Sequence, residues 1–325
     1  MEDNIKEVIE QMLARAECLE DQGEPREALV VLRNALYLQE DPLILTRIGV
    51  LAMDLNQFAD AEEALLQATT LDPSFALAFF YLGNLYRLEG RLVEAQGSLE
   101  RASGIDPSEF VLTLLGVVQS ELGLDAEASE SYRRAIRTDP THQEAYFNLA
   151  LLEKEHQIEE AVNLLEKAID IDSHYQAAHR ELGWLLRRRK QFAEAEYHLR
   201  RAVELDDSDG WGHIYLGNLM WQAGDLGAAE ESFLTATRVW PDRSAPFWCF
   251  GYFRERQGRR SEADLLYRRA LELNPLDSEA NWRFGNYLKD IGDRTGAERH
   301  LNNALILNPA NAKARAALSE IKKAL

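Results

Sequence analysis

The stretch ALAFFYLGNLYRLEGRLVEAQGSLERASGIDP, residues 76–107, decides the fold. Its first half holds Phe79, Leu82, Gly83 and Tyr86 at helical spacing, and its second half holds Ala95, Leu99 and Ala102 before Pro107. The glycine-containing turn at Gly90 separates two amphipathic segments, and Asp-Pro closes the second, since proline disfavours α geometry in the residue before it. The pattern recurs along the chain. Pro73, Pro107, Pro140, Pro241, Pro275 and Pro309 stand 34, 33, 101, 34 and 34 residues apart, and the long interval equals three repeats, one of them a residue short. Nine units then start near residues 9, 42, 76, 109, 143, 176, 210, 244 and 278.

Counted within a unit, position 8 is glycine in seven units, with Ala16 and Ala150 in the others. Positions 20 and 27 are alanine in all nine, from Ala28 and Ala35 to Ala297 and Ala304. Small residues fixed on amphipathic helices mark places where two backbones come close, so each unit reads as a pair of packed helices. Gly23, Gly90, Gly123, Gly224, Gly258 and Gly292 fall in the turn between them, and Pro25 falls where a helix's first turn needs no amide donor.

This pattern resembles the tetratricopeptide repeat, W-x-x-L-G-x-x-Y followed by A-x-x-x-F and P. A second close match is Phe247, Phe250, Gly251, Ala263, Tyr267, Ala270, Pro275. The resemblance implies an all-α fold: a right-handed superhelical α-solenoid of about nine helix pairs over residues 1–311. A C-terminal capping helix over 312–325 follows, with Leu318, Ile321 and Leu325 on its apolar side. Residues 1–8 extend the first helix. Unit five lacks a residue between Glu153 and Ala161 and has Ser173 for proline, and unit six has Asp207, so residues 143–209 are where regularity is weakest.

The 325 residues carry 36 Lys+Arg against 55 Asp+Glu, a net charge of −19, which argues against general affinity for nucleic acid or anionic membranes. The N-terminus has no signal-peptide pattern and no apolar run approaches a membrane span. Cys18 and Cys249 have no second thiol nearby, so neither a disulfide framework nor a zinc site is expected, and the cytoplasm is the expected location. Catalytic chemistry is not expected either. The seven histidines form no H-E-x-x-H pair; Gly210-Trp211-Gly212 lacks the third glycine of a dinucleotide fingerprint and any preceding strand; no phosphate loop or nucleophile elbow occurs. His179 and His213, both at position 4, are candidates to approach each other. No cofactor and no metal is implied.

What remains is a second stripe on each first helix. Positions 4, 7, 8 and 11 repeat from unit to unit and serve packing, whereas positions 2, 5, 9, 12 and 13 vary. By resemblance to the family, the varying stripe lines the concave surface where segments of protein partners lie. Five of six tryptophans fall on it, at Trp184, Trp211, Trp221, Trp248 and Trp282, and Tyr252 joins them, all in units six to nine. Earlier units place Phe80 and Phe147 there. Rings needed for the fold should recur at one position, and these occupy four, which points to a groove for a peptide segment. The alternative is that they fill the interior by touching neighbouring helices. Trp240, before Pro241, reads as structural. Asn84, Asn218 and Asn286 at position 9 suit an extended peptide backbone, and Arg180, Arg187, Arg188 and Arg256 share the stripe. Position 5 is never lysine, so the family's carboxylate clamp for chaperone C-termini is disfavoured.

The expected activity is therefore that of a non-catalytic adaptor for a protein or peptide segment. Residues 1–175 carry 34 acids and 13 bases, whereas residues 176–325 carry 21 and 23. That asymmetry leaves a homo-oligomer assembled head to tail as the alternative, which light scattering across salt concentrations distinguishes. Single-stranded nucleic acid on Arg187-Arg188-Arg189-Lys190 and the tryptophans is disfavoured by the acidic half.

Overall fold

The computed structural model describes residues 2–323, so Leu325 lies outside the described residues. Among these residues there are nineteen α-helices and no strand. The first helices of the units are α1 (Glu2–Asp21), α3 (Pro42–Asp54), α5 (Ala76–Leu88), α7 (Glu109–Glu121), α9 (Gln143–Glu153), α11 (Gln176–Arg188), α13 (Gly210–Ala223), α15 (Ser244–Arg256) and α17 (Ser278–Ile291). The second helices are α2 (Pro25–Leu38), α4 (Phe58–Leu71), α6 (Leu92–Ile105), α8 (Asp125–Thr138), α10 (Ile158–Ile171), α12 (Phe192–Leu205), α14 (Leu226–Val239), α16 (Arg260–Leu273) and α18 (Arg294–Leu307). A last helix, α19 (Ala312–Lys323), packs on α17 and α18 through Ala314, Ala317, Leu318 and Ile321.

In seven of the nine pairs the position-8 glycine lets the two helices close together. A Cβ on Gly49, Gly83, Gly116 or Gly183 would stand 2.6 Å from the side chain of Leu65, Leu99, Tyr132 or Leu199 on the partner helix. Because no real contact is that short, any larger residue would force the pair apart. The alanines at positions 20 and 27 are fully buried in every unit, as at Ala28 and Ala304.

All six turn glycines take positive φ, from 75° at Gly23 to 90° at Gly292. Two other units place Asn56 (φ 58°) and Lys190 (φ 63°) in this left-handed region. Asparagine tolerates it; lysine is strained there. Lys190→Gly is expected to stabilise the fold by about 0.5–1 kcal/mol, the relief of strain less the added freedom of the unfolded chain, read from a denaturant midpoint.

The ends of the second helices involve more than proline. Asp72 and Asp139 each accept from both the backbone amide and the hydroxyl of the residue two further on, Ser74 or Thr141, and these bonds hold both carboxyls below their usual range. Asp206 makes the same turn with Ser208 although no proline follows it. This local bond is why Asp or Asn precedes the proline in the motif.

The contacts divide the chain into two compact units that meet in sequence at Ser173 and His174, where the fifth repeat lacks its proline. The repeat count alone does not contain this division. In the first unit α3, α5, α7 and α9 touch in order; in the second α11, α13, α15, α17 and α19 do. Within each unit, second helices instead contact the helices before and after them in sequence. The first helices thus form the inner layer of each unit. No helix among the described residues is long and apolar enough to cross a membrane.

Candidate functional site

The varying stripe lies on the first helices, which touch one another in order within each unit. Twelve of the fifteen candidate residues lie in the second unit: Arg180, Trp184, Arg187 and Arg188 on α11, Trp211, Asn218 and Trp221 on α13, Trp248, Tyr252 and Arg256 on α15, Trp282 and Asn286 on α17. Phe80 and Asn84 on α5 and Phe147 on α9 belong to the first unit.

Every tryptophan is half-buried, neither sealed in the core nor freely exposed. Trp211 lies 5.7 Å from Tyr215, and Tyr215 lies 6.3 Å from Trp184, centroid to centroid, bridging two successive first helices. Trp221 packs edge-on against Tyr252 at 5.5 Å and Phe253 at 5.4 Å. Trp240 meets Trp211 edge-on at 6.2 Å and lies over Gly210, where a Cβ would be 2.3 Å from its ring. The rings thus touch neighbouring helices in two groups, Trp184 with Tyr215, Trp211 and Trp240, and Trp221 with Tyr252 and Phe253.

Arginines stand over the rings. The Arg283 guanidinium stands 4.3 Å from the Trp282 centroid, 4.4 Å from Tyr252 and 5.5 Å from Trp248, while its Nε donates to Glu279 at 3.0 Å. Arg188 lies over Trp184 at 4.7 Å and Lys313 over Trp282 at 5.0 Å. Such cation–π contacts contribute about 0.5–1 kcal/mol at exposed Arg188 and Lys313 and up to about 2 kcal/mol at half-buried Arg283, and they hold the rings in place. Sequence reasoning missed Tyr215 and Arg283 because position 6 was not read as part of the stripe. The spacing of Glu279, Trp282, Arg283 and Asn286, three or four residues apart, was the available signal.

Arg180 is engaged within the protein. Its Nη1 lies 3.0 Å from Asp209 and its Nε 3.3 Å from Glu181, both carboxylates being buried. Burial works against the charge, but the two acids outweigh it and its pKa is raised. Asp209 also caps α13 through the Trp211 amide at 3.1 Å and accepts from Gln176. Asn218 spends an amide hydrogen on its own helix, donating to the Ile214 carbonyl at 2.9 Å. Asn84 and Asn286 are half-buried on the same face, and Arg256 is exposed. Next to it, half-buried Glu255 is pushed up by burial and accepts from the Tyr267 hydroxyl at 2.6 Å.

In the first unit, Phe80 lines a cavity of about 310 Å³ with Leu77, Tyr81, Phe110 and Val111. Phe110 is 60% exposed and meets His142 edge-on at 5.0 Å. A cavity of about 650 Å³ lies elsewhere, between α2, α3 and α4.

The histidine expectation needs correction. His179 does not approach His213; it pairs with His198 of its own repeat, Nδ1 to Nδ1 at 2.9 Å, while His213 turns to the Asp207 carbonyl at 3.0 Å. Position 4 of a first helix packs against its own second helix, so the partner lies 19 residues on, not 34. Burial and then the His179 neighbour hold His198 down at about 4. Among the described residues no group of three or more His, Cys, Asp or Glu side chains could hold a metal ion. Cys18 is exposed; burial raises the thiol pKa of Cys249.

Two tetratricopeptide repeat family models match, one over residues 46–109 and 151–210 and the other over 111–142. Among curated proteins, 117 residues are 33% identical to a probable UDP-N-acetylglucosamine–peptide N-acetylglucosaminyltransferase, SPINDLY, of Hordeum vulgare, covering 33% of this chain. The chain spans only 12% and 26% of the length of the curated relatives it matches. Among solved structures, a tetratricopeptide repeat protein from Parabacteroides merdae superposes with a TM-score of 0.59 at 20% identity, covering 72% of this chain and 93% of that one. Yeast Tom70 superposes with a TM-score of 0.56 at 15% identity, covering 98% and 89%. These structural likenesses carry the fold alone.

Proposed function

We propose that this chain, which belongs to the tetratricopeptide repeat family, works as a non-catalytic scaffold that holds a segment of a protein partner on its inner helix layer. The observation that carries this reading is that Trp184, Trp211, Trp221, Trp248, Tyr252 and Trp282, all on first helices of the second unit, are each half-buried and so partly open to solvent. Contiguous exposed aromatic surface is costly unless a partner covers it. The rings are already rigid, clamped by each other and by Arg283, so little side-chain entropy is lost on binding. Anchor aromatics contribute about 2 kcal/mol each, enough for micromolar affinity from four of them after ordering costs.

A peptide-array screen identifies ligands, and tryptophan fluorescence should shift on adding one. The Trp248→Ala, Trp282→Ala double variant should bind it at least tenfold more weakly. A folded double variant with unchanged affinity removes the reading.

A nucleic-acid strand fits less well. Arg200, Arg268 and Arg269 lie on second helices and each pairs with an acid within one turn, Glu196, Asp264 or Glu272. Oligonucleotide binding, if real, would fall with salt by a slope of about −0.7 per phosphate neutralised; absence of binding at low salt is the expected result.

A further inference from the structure

The step from one first helix to the next follows a rule. The basic residue at position 12 reaches the next first helix, or α19 after the last: Arg87 meets Glu121 at 3.2 Å, and Lys289 meets Glu320 at 2.7 Å. At the same step in the second unit, Arg187 Nη1 donates at 2.9 Å to Gln222, a neutral acceptor. Arg187 is half-buried and its Nε is sealed from solvent without an acceptor. The Arg87 Nε is sealed in the same way, but there Glu121 answers the charge. No carboxylate of the described residues pairs with Arg187, and burial lowers its pKa. A partly buried guanidinium beside a neutral amide lacks its counter-charge, and a planar guanidinium fork matches the geometry of a carboxylate.

Around it stand groups that a peptide side chain would meet. Arg188 stacks on Trp184 one turn away, and Trp221 lies on the helix that carries Gln222. Exposed Arg256 holds the same repeat position relative to Trp221 that Gln222 holds relative to Arg187. The second half of the chain has also lost the acidic excess of the first.

We infer that Arg187 is an anion slot, filled by the Asp or Glu side chain of an acidic, apolar-anchored partner segment lying along Trp184 and Trp221. The inference rests on the scaffold reading above and adds the chemistry of the segment. Gln222 is the position at which the protein itself could supply the missing carboxylate, so Gln222→Glu imitates the bound partner.

The test uses the full chain and an array of synthetic 12-residue peptides with apolar anchors fixed and the charge-bearing positions all Glu, all Lys or all Ser. Wild type should bind the Glu set at least tenfold more tightly than the Ser set, and the Lys set more weakly than either. Arg187→Gln should abolish the Glu preference, so that the Glu and Ser sets bind equally. Gln222→Glu should also abolish it, and should raise the thermal midpoint by about 2–4 °C without any ligand. If peptides bind but wild type shows no Glu preference, or either variant keeps it, or Gln222→Glu leaves the midpoint unchanged, the slot is wrong while the scaffold reading stands. If no set binds wild type, the scaffold reading fails and the slot with it.

Discussion

Replacing Tyr267 by alanine is expected to remove about 3–5 kcal/mol from the stability of the second unit, the range for truncating a large buried aromatic. Tyr267 is fully buried on α16 and packs against Phe284 at 5.7 Å and Tyr287 at 5.5 Å, at the centre of a cluster that includes Leu301, Ala304 and Leu318. The hydroxyl can be separated from the ring. Its bond to Glu255 at 2.6 Å is made to a carboxyl whose pKa burial has raised, so Tyr267→Phe leaves that acid without its donor. The smaller variant should lose about 1–2 kcal/mol. Urea unfolding of both, with the loss from Tyr267→Ala at least twice that from Tyr267→Phe, checks the assignment. Equal losses would place the energy in the hydrogen bond and not in the packing.

Acid should destabilise the protein well before its carboxylates titrate. His198 and His300 are both held down at about 4, by burial first and then by His179 in one case and by Arg299 and Arg268 in the other. His300 shows why in atomic terms. Its Nδ1 donates to Asn281 Oδ1 at 3.0 Å while its Nε2 accepts from Arg299 at 3.1 Å, so the neutral ring is satisfied and a second proton has nowhere to go. In the His179–His198 pair one Nδ1 donates and the other must accept. The unfolded chain, with histidine near 6.5, binds more protons than the folded one between about 6.5 and 4. Unfolding free energy therefore rises with pH across that window. Stability is full above 6.5 and falls as pH drops toward 4, by about 2 kcal/mol per histidine at pH 5. Denaturant midpoints at pH 7.5 and 5 measure the loss. A His198→Gln, His300→Gln variant should show much less of it; an equal loss in that variant would assign the acid sensitivity to other groups.

The helix pairs were legible because their determinants are local and repeated. Gly83 and Ala95 recur in type and place, and the contact each makes recurs with them. The site was legible only in outline. The tryptophans could be assigned to one stripe from spacing, but not the way Tyr215 bridges Trp184 and Trp211, nor the way Arg283 sits among three rings. The contacts of Tyr215 with Trp184 and of Arg283 with Tyr252 and Trp248 join successive first helices, and periodicity within one helix carries no information about those. Arg180 looked available to a ligand for the same reason, since its carboxylate Asp209 lies on the approach to the next repeat. The asparagine in Asp-Pro and Asn-Pro ends was likewise overshadowed by its proline neighbour, although Asn274 and Asn308 accept the amides of Leu276 and Ala310.

The position-8 glycines have a consequence for how such a chain can diversify. Gly83 touches Leu99, and Gly183 touches Leu199, so the pairing of helices is settled inside one repeat. Arg87 and Arg187 act across a repeat boundary and on the other stripe. Substitutions far apart with no shared neighbours act additively. Ligand preference can therefore drift in one set of columns while the other set keeps the scaffold intact, and a duplicated repeat arrives with its architecture complete and its recognition chemistry free to vary.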